Sequence, residues 1–253
     1  MTKIPIGLQM YTLRAETSVD FVGTLKKVAA LGFAGVEFAG FGNLPAAELK
    51  SVLGDLNLRV CGAHIGVDQL AANINGVIEC QLEIGNPYIV VPYLTGDWCN
   101  STEAWIKTAT AINNWAKVAR AAGLGLAYHN HDFEYKVFNG KTGMQLLEEN
   151  TDTTLVKNEL DLYWVTRAGI DPASEVKKYA GRLPLLHIKD MANDEEKNFA
   201  EFGEGVLDWD TILPLAAAGG TEWFIVEQDR CINHQPLESV AISMKNLKAR
   251  GLA

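Results

Sequence analysis

A chain of 253 residues that is 48% hydrophobic, with a mean hydropathy of +0.01, has ample material for one large core and is not a disordered polymer. Its formal net charge of −9 and pI near 5.1 argue against a general binder of nucleic acid, which wants a basic face. The four cysteines are scattered with no Cys-x-x-Cys pair, and no apolar run nears the ~18 residues of a membrane span, so a disulfide scaffold and a membrane protein are not expected.

The first residues lack the charged, apolar and cleavage regions of a signal peptide and run directly into strand-like sequence, which leads us to expect a cytoplasmic protein. Apolar, β-branched runs then alternate with helix-like stretches. Strands are expected at 4–10, 35–38, 59–64, 88–92, 124–129, 155–161, 184–188 and 223–227, and helices at 21–31, 105–121 and 142–149 among others. Phe21, Leu25, Val28 and Ala29 recur at helical spacing, with Ser18 and Asp20 as capping residues ahead of them. Gly32, Gly85, Gly123, Gly181 and the Gly219-Gly220 pair precede strands, where left-handed helix caps belong. Eight strand–helix units imply parallel pairing and right-handed crossovers, hence a single (β/α)8 TIM barrel over residues 1–253. An open doubly wound sheet is the alternative, but Gln9-Met10-Tyr11-Thr12-Leu13-Arg14 after the first strand is no glycine-rich phosphate turn. The longest polar insertion, 191–209, follows a strand exit and reads as a lid.

Active sites of such barrels lie at the C-terminal ends of the strands, so polar residues at those exits matter most. Asp161 and Glu159, two apart, face the same side, with Asp161 nearer the rim and Glu159 deeper as an orienting partner. His187 and Glu227 end apolar runs in which an unpaired polar group would be costly. His129 and His131 share one face, and either could turn inward. We take His129 with Asp161, His187 and Glu227 as ligands of one divalent ion, and leave His131 to the substrate. This mixed nitrogen and oxygen set suits Mn, Zn, Co or Fe without choosing among them. Glu134 and Glu227 are the acid/base candidates, and Lys189 could hold a substrate oxygen or enolate. His64 and Trp164 are placed as further substrate contacts.

Taken together and in order, His129-Asn130-His131-Asp132-Phe133-Glu134, Glu159-Leu160-Asp161-Leu162-Tyr163-Trp164, His187-Ile188-Lys189-Asp190 and Gly203-Glu204-Gly205 make the chain resemble a known group. It is similar to the xylose-isomerase-like TIM barrels called sugar phosphate isomerases/epimerases, the superfamily shared with endonuclease IV. That resemblance implies one metal held by Asp161, His187 and Glu227 with a fourth residue at the fifth strand, where epimerases carry a glutamate. Here the His129/His131 segment stands in its place, as in sequences similar to inosose dehydratase. The endonuclease branch has Asp-x-x-His at the sixth strand, whereas Asp161 is followed by Trp164. A trinuclear zinc site is therefore not expected.

The resulting expectation is a metal-dependent isomerase or epimerase of a small sugar or keto sugar, working through an enediolate in carbohydrate metabolism. A lyase that dehydrates an inosose or splits a 3-keto glycoside by β-elimination is the alternative, and a sugar-binding barrel without catalysis the minor one. The partner is a small sugar, not nucleic acid or membrane, and self-association into a homo-oligomer stays open.

Overall fold

The computed structural model describes residues 3–253. Eight parallel strands close into a barrel: β1 (Ile6–Gln9), β2 (Gly35–Phe38), β3 (Arg59–His64), β4 (Tyr88–Val91), β5 (Gly125–His129), β6 (Val156–Asp161), β7 (Leu185–His187) and β8 (Trp223–Val226). Each pairs with its neighbours in sequence, and β1 closes the circle by pairing with both β2 and β8. The expected (β/α)8 barrel is thus the fold observed, and the open sheet is not. Expected strands overrun the observed ones by a residue or two at half of their ends, mostly where apolar residues continue past the last ladder bond.

Helices wrap the barrel between the strands. The Phe21–Leu31 helix buries Leu25 and Val28 against the sheet. Asp20 is its N-cap, accepting from the Gly23 amide at 2.8 Å. Ser18, the other expected cap, lies inside a short preceding helix (Arg14–Val19) and donates to the Ala15 carbonyl instead. Gly32, Gly85, Gly123, Gly181 and Gly220 all take positive φ, so the glycine signal ahead of the strands has the conformational cause assigned to it. Among the described residues no helix is long and apolar enough to cross a membrane.

Inside the barrel, Cys61, Val90, Ala127, Leu185, Trp223 and Ile225 form an apolar plug. One step of two residues along three of those strands leads from Ala127 to His129, from Leu185 to His187 and from Ile225 to Glu227. Alternation on a strand keeps these pairs on the inner face, so a polar layer sits directly above the plug. Register completes that layer: Gln9 lies beside Glu37, His129 beside Glu159, and Asp161 beside His187.

The 191–209 segment does cover this end of the barrel, but it is fastened. A short antiparallel pair joins Asp190–Met191 to Phe199–Ala200. Asp190 accepts from the amides of Met191, Gly203 and Leu207 and from Trp209 Nε1, the last at 2.6 Å. Four donors on one buried carboxylate make this an anchored cover, where the sequence suggested a lid.

Candidate metal centre and cavity

Above the polar layer opens a cavity of about 840 Å³, lined in part by His64, His129, His131, Trp164, Phe199 and Glu227. Tyr11 and Tyr93 stand on its wall, 42% and 49% exposed, and so present ring surface to whatever enters. Of the residues given roles from sequence, His64, His129, His131, Trp164 and Glu227 reach this cavity. Asp161, His187 and Lys189 lie just beneath, almost fully buried.

Among the described residues, two sets of side chains bring ligand atoms within 4.8 Å of one another. One is His129, Asp161, His187 and Glu227, the set expected from sequence. The other, His64, His129, Glu159 and His187, lies next to it and shares both middle histidines. His187 joins the two layers: its Nδ1 lies 3.0 Å from Glu227 Oε2 and 3.8 Å from Asp161 Oδ2, while Nε2 lies 2.8 Å from Glu37 Oε2. Glu159 Oε2 gathers His64 Nε2 at 2.8 Å and His129 Nδ1 at 3.0 Å. Glu159 therefore sits where an orienting partner would.

Carboxylates are concentrated in the buried layer beneath the cavity. Glu37, Glu159, Asp161 and Glu227 are 0–5% exposed, and Lys189 is the only ammonium among them. Burial pushes Glu37 up to about 7, reinforced by Glu159 and only partly offset by His64 and His187. Burial likewise raises Asp161 to about 6 against the pull of Lys189. For Glu159 burial is outweighed by His187 and His64, and for Glu227 by Lys189 and His187, so both stay well below the usual carboxylate range. Burial alone would lower His187, yet Glu159 and Glu227 hold it well above its ordinary value. His129 and His131, lowered by burial to about 4 and about 2, are neutral and free to ligate or accept. Buried carboxylate oxygens gathered with imidazole nitrogens make a mixed donor set that fits a divalent ion of the Mn, Fe, Co and Zn type.

Two expected roles meet surroundings that alter them. Lys189 Nζ is 2.7 Å from Asp161, 2.8 Å from Glu227 and 2.5 Å from Asp229, so it is locked among carboxylates and does not line the cavity. Glu134 is also buried outside the cavity wall, with Tyr128 Oη at 2.9 Å and the His131 amide at 2.8 Å. It holds the His131 turn, where the sequence offered it for proton transfer. Sequence reasoning missed Glu37 and Gln9. A lone carboxylate within Gly35-Val36-Glu37-Phe38, a run buried throughout, was the available signal.

Residues 25–250 match the family described as the xylose isomerase-like TIM barrel. In three dimensions the chain is similar to a sugar phosphate isomerase/epimerase from Parabacteroides distasonis, with a TM-score of 0.83, 23% identity and coverage of 100% of this chain and 96% of that one. It is also similar to the IolI protein crystallised with a bound zinc atom, with a TM-score of 0.75, 13% identity and 98% of each chain covered. These two likenesses carry the fold. In sequence, an inosose dehydratase from Clostridium beijerinckii is 26% identical over 184 residues, 63% of this chain and 59% of that protein. One from Bacillus thuringiensis is 26% identical over 151 residues, 51% of this chain and 48% of that protein. The chain thus matches about half the length of these dehydratases.

Proposed function

Since the chain belongs to the xylose isomerase-like TIM barrel family, we propose that it is a metal-dependent isomerase or epimerase moving a proton on a small sugar or keto sugar. The observation that carries this reading is the convergence of His129, Asp161, His187 and Glu227 beside a cavity large enough for such a ligand. Sugar phosphate isomerase/epimerase neighbours and the zinc in IolI support it.

Those four residues would hold a divalent ion, which supplies the charge that polarises a substrate carbonyl and stabilises an enediolate. Glu227 is the proton carrier on this reading: it lines the cavity and is kept ionised by Lys189 and His187 against the opposing effect of burial. In an isomerisation it takes the proton from the hydroxyl-bearing carbon beside the carbonyl and returns it to the former carbonyl carbon, while the hydroxyl proton passes to the former carbonyl oxygen. Lys189 fixes Glu227 and Asp161 in place and, held well above its ordinary value, keeps its own proton. His131 and His64 bind substrate hydroxyls, and buried His131 Nδ1 has no other partner among the described residues. Trp164 offers an apolar face to the ring. Glu134 steadies the turn that presents His131.

A dehydratase reading has its own support: imidazoles stand at the fifth-strand exit, and the chain is similar over part of its length to inosose dehydratases. In that reaction the α-proton passes to Glu227, the C–O bond at the β-carbon breaks as a C=C bond forms, and the proton held by Glu227 joins the departing hydroxide to give water. Incubating the metal-loaded protein in D2O with keto sugars and inososes, followed by NMR and mass spectrometry, separates the readings. Deuterium at the α-carbon of an isomerised sugar supports the first, and an unsaturated product the second. Binding with neither exchange nor conversion would leave a non-catalytic sugar-binding barrel.

A further inference from the structure

We propose that Glu37 is a positioning residue that fixes the tautomer and ring orientation of His187, with Gln9 orienting Glu37 in turn. This rests on His187 ligating the ion as described above. An imidazole ligates through a nitrogen lone pair, and its other nitrogen must then carry the proton and give it to an acceptor. His187 Nδ1 faces Glu227 Oε2 at 3.0 Å and Asp161 Oδ2 at 3.8 Å, the side of the expected ligands. Its Nε2 faces Glu37 Oε2 at 2.8 Å across the barrel, nearer than Glu159 Oε2 at 3.3 Å. A carboxylate there holds the proton on Nε2 and leaves the Nδ1 lone pair for the ion.

Glu37 is itself oriented. The Tyr11 amide donates to Gln9 Oε1 at 3.0 Å, which fixes the side-chain amide so that its Nε2 donates to Glu37 Oε2 at 2.9 Å. Strand register makes this arrangement: Gln9 pairs with Glu37, and Glu37 with Gly62, where β2 and β3 slip register. Gly62 is part of it, because a Cβ at that position would lie 2.5 Å from Glu37 Oε1. Three neighbouring strands thus build one acceptor and aim it across the barrel at β7. None of Gln9, Glu37 or Gly62 lines the cavity, so none of them contacts substrate.

The test is Co2+ binding to chelator-stripped protein, read by visible absorption and by competition for affinity, for wild type, Glu37→Gln and Gln9→Leu. Glu37→Gln should weaken Co2+ affinity about 10- to 100-fold and change the absorption spectrum, and Gln9→Leu should do the same less strongly. Thermal melts of the ion-free proteins identify any loss of folding. If Glu37→Gln does not fold, Gln9→Leu carries the comparison, since it leaves the carboxylate in place. Folded variants with wild-type affinity and spectrum overturn the inference. So does a stoichiometry of two Co2+ per chain that falls to one in Glu37→Gln, because Glu37 would then be a ligand. A wild-type protein that binds no Co2+ fails at an earlier point and removes the metal reading itself.

Discussion

Lys189 Nζ lies 2.7 Å from Asp161 Oδ2, with both side chains fully buried. Glu227 and Asp229 complete its surroundings at 2.8 and 2.5 Å, so one ammonium serves three carboxylates. Removing one partner of a buried charge pair is costly because the charges left behind have neither water nor a counterion. Lys189→Met should therefore destabilise the ion-free protein by about 3–5 kcal/mol. A divalent ion should stabilise this variant more than it stabilises wild type, having more uncompensated charge to neutralise. Denaturant unfolding with chelator and with Mn2+ measures both effects.

Asp161 has a second task that complicates any substitution. Its Oδ1 caps the Leu162–Arg167 helix, accepting from the amides of Tyr163 and Trp164 at 2.9 and 3.3 Å. Asp161→Ala therefore removes a helix cap, worth about 1 kcal/mol, together with any ion ligand. Asp161→Asn keeps an oxygen for the cap and loses only the negative charge. Both variants should lose the thermal shift produced by Mn2+ or Co2+, while only the alanine loses the cap as well. A normal ion-induced shift in Asp161→Asn would count against the proposed ligand set.

The barrel was legible because its strands are local patterns: apolar runs, most with polar exits and several with a glycine at the preceding helix end. Asp161, His187 and Glu227 were readable for the same reason, each lying at or just beyond a strand's end. What could not be read is who faces whom across the barrel. Glu37 belongs to β2 and His187 to β7, and only closure of the sheet brings them to 2.8 Å. Lys189 looked like a substrate contact because the carboxylates that trap it come from β6 and the chain after β8. Glu134 read as an acid near a site, and Asp190 carried no assigned role. Their partners are largely backbone amides whose positions no side-chain pattern encodes.

Glu134 makes stability depend on pH with a definite sign. Burial lifts its carboxyl to about 8, against the hydrogen bonds from the backbone and Tyr128 that pull it down. The folded state then keeps a proton that the unfolded chain releases near its ordinary 4.5. Between those values the folded form binds more protons, so stability falls as pH rises from about 4.5 toward 8. The contribution is on the order of 4 kcal/mol. Glu134→Gln imitates the protonated acid and should remove this slope, equalling wild type near pH 5 and exceeding it near pH 8. The difference between the two unfolding curves across that range, with chelator present, isolates Glu134 from the other titrating groups. A difference that does not grow with pH would contradict the assignment.

Asp190 predicts how firmly the site is covered. Its two oxygens receive three backbone amides and the Trp209 indole, which ties Gly203 and Leu207 back to the end of β7. Gly205 packs against the same carboxylate, where an added Cβ would lie 2.2 Å from Oδ1. Phe199, within the anchored segment, packs against Tyr163 with ring centroids 4.3 Å apart and reaches the cavity beside Trp164. Asp190→Ala strands four donors, and even partial recovery by water leaves a cost of about 3 kcal/mol or more. The loss should be local before it is global, because the barrel strands do not depend on these bonds. Limited proteolysis should therefore cut Asp190→Ala within 191–209 under conditions that leave wild type intact, and Gly205→Ala should show the same pattern more weakly. Uniform digestion of the whole chain, with no early cut in this segment, would mean that Asp190 supports the barrel rather than its cover.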